Sequence, residues 1–244
     1  MHGKEHCQAL DVMMGLSGIR SRNQVYELLK KQILCMELQP RDMLSENTLS
    51  AQMKAGRPLV REALAQLVEE GYVVVYPQKG TEVSLIDPER VKQAVHAHIV
   101  LEQAIVKELC SQGLTEGQMG QLDEVLKLQK EKSGRDAVLE LLILEREFHY
   151  LLSAFCGREH IWKLFRTLEC DALRVSYLRY GIFNYQVRES ALTSWENTQV
   201  EERLLLENIR RGEGEAAVLL CANHFNGLLW HMDALKGIYP QYFA

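Results

Sequence analysis

The sequence predicts a mainly α-helical protein of two domains, an N-terminal winged helix-turn-helix and a C-terminal all-α helical bundle. Three observations carry this expectation. Over residues 45–80 a short helical pattern, a tight turn, a longer amphipathic pattern and a strand-turn-strand follow one another with almost no spare residues. That order describes a winged helix-turn-helix, a shape that lays one helix in the DNA major groove. After Asp87 strand signals nearly vanish, and glycines at 113, 134, 157, 181, 212 and 214 punctuate a series of helical periods. Finally, 244 residues, 47% hydrophobic and 25% charged, suffice for two cores of ordinary composition.

Taken in order, residues 1–16 show no firm period and form an arm, and residues 17–87 make the first domain. From Arg20 onwards Val25, Leu28, Leu29, Ile33 and Met36 recur at helical spacing, with Lys30 and Lys31 on the other side. Pro40 ends this helix, because the residue before a proline is pushed towards extended geometry. Ser45 suits the N-cap of the next helix, whose Leu49 and Met53 face the core. Gly56 permits the sharp turn, and Pro58 falls in the next first turn, where a missing N–H costs little. The helix that follows sets Val60, Ala63, Leu64 and Leu67 on one stripe, with Arg57, Arg61 and Gln66 away from it. Gly71 closes it. Residues 72–76 and 81–85 are β-rich around Pro77-Gln78-Lys79-Gly80, which makes a small two-stranded wing with a basic tip.

Asp87-Pro88-Glu89 opens the second domain with a capping acid, a proline at the first helical position and another acid. Helical periods cover 88–112, 115–132, 135–155, 158–182, 189–211 and 214–235, and Thr115 with Gln118 forms a capping-box pattern. This domain runs over 88–236, and 237–244 is a tail. Trp162, Phe165, Trp195, Phe225 and Trp230 are core or dimer contacts rather than a cofactor box.

The formal net charge of -5 means that any DNA-binding face must be locally basic. Six cysteines without a C-x-x-C pair read as reduced thiols of a cytosolic protein. No signal peptide is evident, and no apolar stretch approaches the ~20 residues of a spanning helix. A soluble, cytoplasmic protein is expected.

Arg57 and Arg61 stand one turn apart at the end of the second helix that enters a groove. A guanidinium fork on a guanine edge discriminates by about 1–3 kcal/mol, so these two arginines are the base-reading candidates. Lys79 and Gly80 at the wing tip suit phosphates or a narrower groove. A charged helix-turn-helix used for protein contacts, with Arg61 paired to Glu62 or Glu69, is the alternative.

The segments Gln39-Pro40-Arg41-Asp42-Met43-Leu44-Ser45-Glu46, Arg57-Pro58-Leu59-Val60-Arg61-Glu62-Ala63-Leu64, Glu70-Gly71-Tyr72-Val73 and Pro77-Gln78-Lys79-Gly80 resemble the N-terminal domain of GntR-type transcription regulators. The likeness spans about residues 21–86, and the helical remainder resembles the effector domain of the FadR subfamily. This resemblance implies a homodimeric transcription regulator, a repressor by type, on a pseudo-palindromic double-stranded operator. A small-molecule effector, commonly a carboxylate, would modulate it. The likeness puts Arg57, Arg61 and Gly80 on DNA-contacting positions and Asn47 where relatives often carry a contacting arginine. Gly56, Pro58 and Leu59 replace commoner hydroxyl or proline residues.

In the helical part, Glu145-Arg146-Glu147-Phe148-His149 matches the subfamily's acid-x-x-Phe-His pattern. Glu201-Glu202 aligns with its Glu-His pair, and His224 takes its terminal histidine position. The implied metal set is therefore Glu145, His149, Glu202 and His224, with Glu145 replacing an aspartate and Glu202 a histidine. Two carboxylates and two imidazoles suit zinc, manganese, iron or nickel. Effector-binding candidates are Arg174, Tyr177 and His98, the last standing where relatives often carry an arginine. The alternatives are a degenerate site with satisfied core histidines, a regulator for which the ion itself is the signal, and a metal-dependent enzyme. No nucleophile-base pair or phosphate loop supports the enzyme.

Overall fold

The computed structural model describes residues 21–132, 137–183 and 195–244. The chain divides into two compact units, one of residues up to 86 together with 241–244, the other of residues 87–240. The N-terminal arm, Cys7, Gly134 and the starts of the periods at 135 and 189 lie outside the described residues.

The first unit comprises α1 (Arg22–Leu34), β1 (Met43–Leu44), α2 (Glu46–Met53), α3 (Arg57–Glu69), β2 (Val73–Tyr76) and β3 (Gly80–Val83). A reciprocal capping box of Ser21 and Gln24 starts α1. Val25, Leu29 and Ile33 are buried as their spacing predicts. Lys30 departs from expectation. It is buried beside them, with Nζ 2.9 Å from Glu70 Oε2 and 5.4 and 5.0 Å from the ring centres of Tyr26 and Tyr72. Its apolar stem fills the core, and a carboxylate and two π faces replace the lost hydration. The helix also ends earlier than Pro40, because Met36 turns left-handed at φ 58°.

Gly56 is not the residue that makes the turn between α2 and α3. Its φ is an ordinary -63°, and the left-handed position is Lys54, at φ 49°. Ser45 caps α2 and Pro58 lies in the first turn of α3, as the sequence indicates. At the far end of α3, Gly71 (φ 83°) forms a Schellman motif: Tyr72 N–H donates to Leu67 O and Gly71 N–H to Val68 O.

The wing gains a strand. β1 pairs with β3, which pairs with β2, all antiparallel, with Leu44 opposite Thr81 and Val75 opposite Thr81 from the other side. Two residues are too few to show a period, so β1 leaves no signature in the sequence. Residues 241–244 return to this unit: Ile86 N–H donates to Tyr242 O and Ala244 N–H to Ile86 O, both at 2.9 Å, while Tyr242 and Phe243 are buried.

The second unit contains α4 (Pro88–Gln112), α5 (Glu116–Glu131), α6 (Val138–Phe155), α7 (Glu159–Leu168), α8 (Cys170–Tyr177), a π-helical turn (Leu178–Phe183), α9 (Trp195–Arg211) and α10 (Gly214–Ile238). Asp87 caps α4, and the Thr115 capping box starts α5. Helix α10 packs along α4 and α9, around a core that includes Ile105, Leu109, Leu122, Phe148, Leu152 and Ala217. The single helix expected over 158–182 is broken at Glu169. The bend lets that buried carboxylate meet Arg146 of α6, whose Nε is 3.2 Å away. Trp162, Phe165 and Trp195 are buried, whereas Trp230 is 68% exposed. The five described cysteines are free thiols. No helix among the described residues is long and apolar enough to cross a membrane.

Candidate functional site

Two sites arise, one in each unit. In the first, Asn47 on α2, Arg57, Pro58 and Arg61 on α3, and Lys79 and Gly80 on the wing are all exposed. The capped start of α2 and the buried stripe of α3 force these polar positions outwards. Arg61 is not paired to Glu62 or Glu69. It forks onto Glu46 at the start of α2, Nε to Oε1 at 3.0 Å and Nη2 to Oε2 at 2.9 Å. The guanidinium beside it lowers the Glu46 carboxyl, and Glu46 raises Arg61 in return. Gly80 stands at φ 115°, and a Cβ built there would meet Met43 Cε at 3.1 Å.

The second site lies within the helical unit, where four helices bring titratable groups together. Glu145 and His149 are one turn apart on α6, His224 comes from α10, and Glu202 comes from α9. Ligand atoms of Glu145, His149 and His224 lie within 4.8 Å of one another. Glu145 Oε1 is 3.5 Å from His224 Nε2, and Glu202 Oε1 is 3.8 Å from His149 Nε2. The two imidazoles point Nε2 to Nε2 at 3.2 Å.

Two further carboxylates hold these rings from behind. Glu102 of α4, fully buried, binds His149 Nδ1, and Glu201 binds His224 Nδ1 at 3.0 Å. A carboxylate oxygen accepts, so each Nδ1 is the donor and each neutral ring presents its Nε2 lone pair inwards. Two lone pairs at 3.2 Å repel unless a proton or a cation stands between them. Burial disfavours charge on His224, but hydrogen bonds to Glu145 and Glu201 override it and raise its pKa to about 10. His224 in turn overcomes burial at Glu145 and lowers its carboxyl, while burial pushes Glu202 well above the usual carboxylate range. Both oxygens of Glu202 are buried, with the Gln129 side chain and, at 3.8 Å, His149 Nε2 as their polar neighbours.

Sequence reasoning missed Glu102 and Glu201 as ring-orienting groups. Glu102 had a signal: it lies seven residues after Val95 and seven before Leu109, in phase with the buried face of α4. Among the effector candidates, Arg174 is fully buried and bound to Asp171, which also takes Arg90 at 3.3 Å. This is a buried ion network rather than an open receptor. Tyr177 packs on the small cluster of Val138, Leu141, Leu142, Tyr180 and Trp195. His98 stacks on Phe165 with ring centres 3.8 Å apart, and burial lowers it to about 4, so it is neutral near pH 7.

Comparison with known proteins agrees with this layout. The model of bacterial regulatory proteins of the gntR family matches residues 21–83, and that of the FCD domain matches 93–227, more than half of the chain. The chain is 28% identical to the HTH-type transcriptional repressor RspR of Escherichia coli K12, over 64% of this chain and 68% of that one. It is 34% identical to an HTH-type transcriptional regulator in an unstable DNA locus of Streptomyces ambofaciens, over 62% of each. The fold is shared with E. coli McbR/YncC (TM-score 0.66, 19% identity, 92% of this chain and 100% of that one). A GntR regulator structure from Rhodococcus sp. RHA1 is also similar (TM-score 0.62, 22% identity, 91% and 98%). RspR, the Streptomyces relative and the Rhodococcus protein are all named as transcriptional regulators or repressors. The chain belongs to the GntR family of bacterial transcriptional regulators, with an FCD domain following its DNA-binding domain.

Proposed function

We propose that this regulator binds a pseudo-palindromic operator as a homodimer and holds a divalent transition metal in its helical domain. An organic acid reaching that domain modulates DNA binding. Arg57 and Arg61 read bases, with Asn47, Pro58, Lys79 and Gly80 at the duplex surface. In support of dimerisation, Leu219 and Trp230 share one face of α10 and are 62% and 68% exposed.

The observation that carries the metal reading is the pair of inward Nε2 atoms, each ring fixed from behind by a carboxylate. Metal-ligating histidines characteristically donate their other N–H to such a partner. Nitrogens about 2.0–2.1 Å from a tetrahedral ion stand roughly 3.3 Å apart, close to the 3.2 Å found here. Glu145 and Glu202 complete a two-nitrogen, two-oxygen donor set for zinc, manganese, iron or nickel. Such an ion would supply a positive point for an anionic effector. The residues of this chain fix both tautomers and keep both rings buried.

Elemental analysis of chelator-free protein, beside His149→Ala and His224→Ala, tests this. A stoichiometric metal lost in both variants is expected; a metal-free parent ends the reading. Titrating metal against operator affinity then separates a resident ion from an ion that is itself the signal.

A further inference from the structure

Arg179 is a buried arginine whose charge nothing balances by contact. The other guanidinium groups of the helical interior have carboxylates: Arg174 binds Asp171, and Arg146 binds Glu169. Arg179 is 8% exposed, yet among the described residues it has no hydrogen-bond or ion-pair partner, and its Nε is shut off from solvent. Its one described contact of charge type is with the Tyr180 ring, 4.8 Å from the guanidinium carbon. Burying a cation without a counter-ion is costly, so a fold that does so keeps the place for an anion.

The surroundings say where that place is. Arg179 sits on the π-helical turn after α8, an irregularity common at functional sites. Its Nη1 and Nη2 lie 3.6 and 3.8 Å from where a Cβ on Gly227 would stand. Gly227 follows His224 by three residues on α10, so the guanidinium faces the same helix surface as that histidine. Position 98, where the family resemblance implies an arginine, is occupied by a neutral histidine stacked on Phe165.

We propose that Arg179 is the receptor for the carboxylate of a small organic acid, seated over Gly227 beside the Glu145/His149/His224 cluster. This rests on the effector reading above and assigns the anchor to a helix other than α4. Four carboxylates (Glu102, Glu145, Glu201 and Glu202) surround the two histidines, and an anion enters such a site only against a strong cation. A guanidinium fork supplies that and matches a planar carboxylate by two parallel hydrogen bonds.

The test titrates metal-supplemented parent, Arg179→Met and Arg179→Lys with acetate, glycolate, malonate and succinate. Thermal stability is followed against chloride of equal ionic strength, and metal content is measured in each sample. At least one acid should stabilise the parent, with its apparent affinity weakened roughly tenfold or more in Arg179→Met and partly restored in Arg179→Lys. Helical circular dichroism of the lysine variant guards against a folding defect. A full response in Arg179→Met, or no acid stabilising the parent beyond chloride, overturns the assignment. Absent metal would fail the metal reading separately, since the comparison of parent with Arg179→Met stands without it.

Discussion

Arg61 reaches across the helix-turn-helix and forks onto Glu46, with both nitrogen–oxygen pairs at 2.9–3.0 Å. The pair is exposed, so it contributes little to stability. Its effect is on orientation: it holds the guanidinium of a base-reading candidate at a set angle from α3. Replacing Glu46 by Gln removes both the strut and a negative charge facing DNA phosphates. Binding to scrambled duplex should tighten while the operator-to-scrambled ratio falls by about tenfold, the worth of one well-placed fork. Fluorescence anisotropy at two salt concentrations reads both numbers, and an unchanged ratio would argue against Arg61 as a base reader.

The helical site should titrate with its ligand. Metal binding needs His224 neutral and Glu202 ionised, and the fold raises both pKa values, His224 to about 10. Below that pH the ion must displace a proton. Affinity should therefore rise with pH between 6 and 9, by about tenfold per pH unit for each proton released. Competition with a chelator of known affinity checks this, and a flat profile contradicts it.

In the metal-free protein, His224 and His98 should pull the pH dependence of stability in opposite senses, and the raised Glu202 carboxyl adds a contribution that is full at low pH and is lost as pH climbs. A raised pKa stabilises fully below the unfolded value, so the contribution of His224 fades as pH climbs from about 6.5 through 10. His98, lowered to about 4 by burial, acts in the opposite sense: its contribution is present above 6.5 and is lost as pH falls towards 4. Urea denaturation across pH 4–10 reads the sum, and His98→Phe should remove the part of the acid-side loss that His98 contributes.

In the DNA-binding unit, Glu70→Gln leaves the buried Lys30 ammonium with only its neutral neighbours. A loss of about 3 kcal/mol is expected, most of it recovered in Lys30→Met/Glu70→Gln, because the cost is that of a stranded charge. Urea midpoints of the three proteins decide, and equal midpoints would rule out this account.

Two glycines should behave oppositely. Gly80→Ala forces a Cβ against Met43 at a left-handed φ of 115°, costing about 1–3 kcal/mol and disturbing the wing. Gly56→Ser meets only Pro58 Cδ, at an ordinary contact distance of 3.7 Å, and adds an N-cap oxygen to α3, for a gain of a few tenths of a kcal/mol. Thermal melts separate the two signs.

Much of the architecture was legible because it rests on local rules. Ser45, Asp87 and Thr115 cap helices wherever their neighbours are helical, and the stripe of Val60, Ala63, Leu64 and Leu67 has one way to be buried. Residues whose roles depend on partners distant in sequence were not legible. Lys30 reads as exposed until Glu70, 40 residues on, is seen beside it. Strand β1 exists only because β3 lies alongside. Arg174 reads as a receptor until Asp171 claims it, and Arg179 reads as nothing until its partners fail to appear.

The sequence by itself determined that this chain is a winged helix-turn-helix followed by an all-helical domain, and its resemblance to a family offered four residues as metal-ligand candidates. Helical period, capping chemistry and a continuous motif are properties of neighbours along the chain. Only the tertiary structure decided how those four residues meet: Nε2 facing Nε2 between two helices, with Glu102 and Glu201 behind the rings. Tautomer, charge state and the want of a counter-ion at Arg179 depend on which groups fold together in a largely buried site, where an unmatched charge is costly.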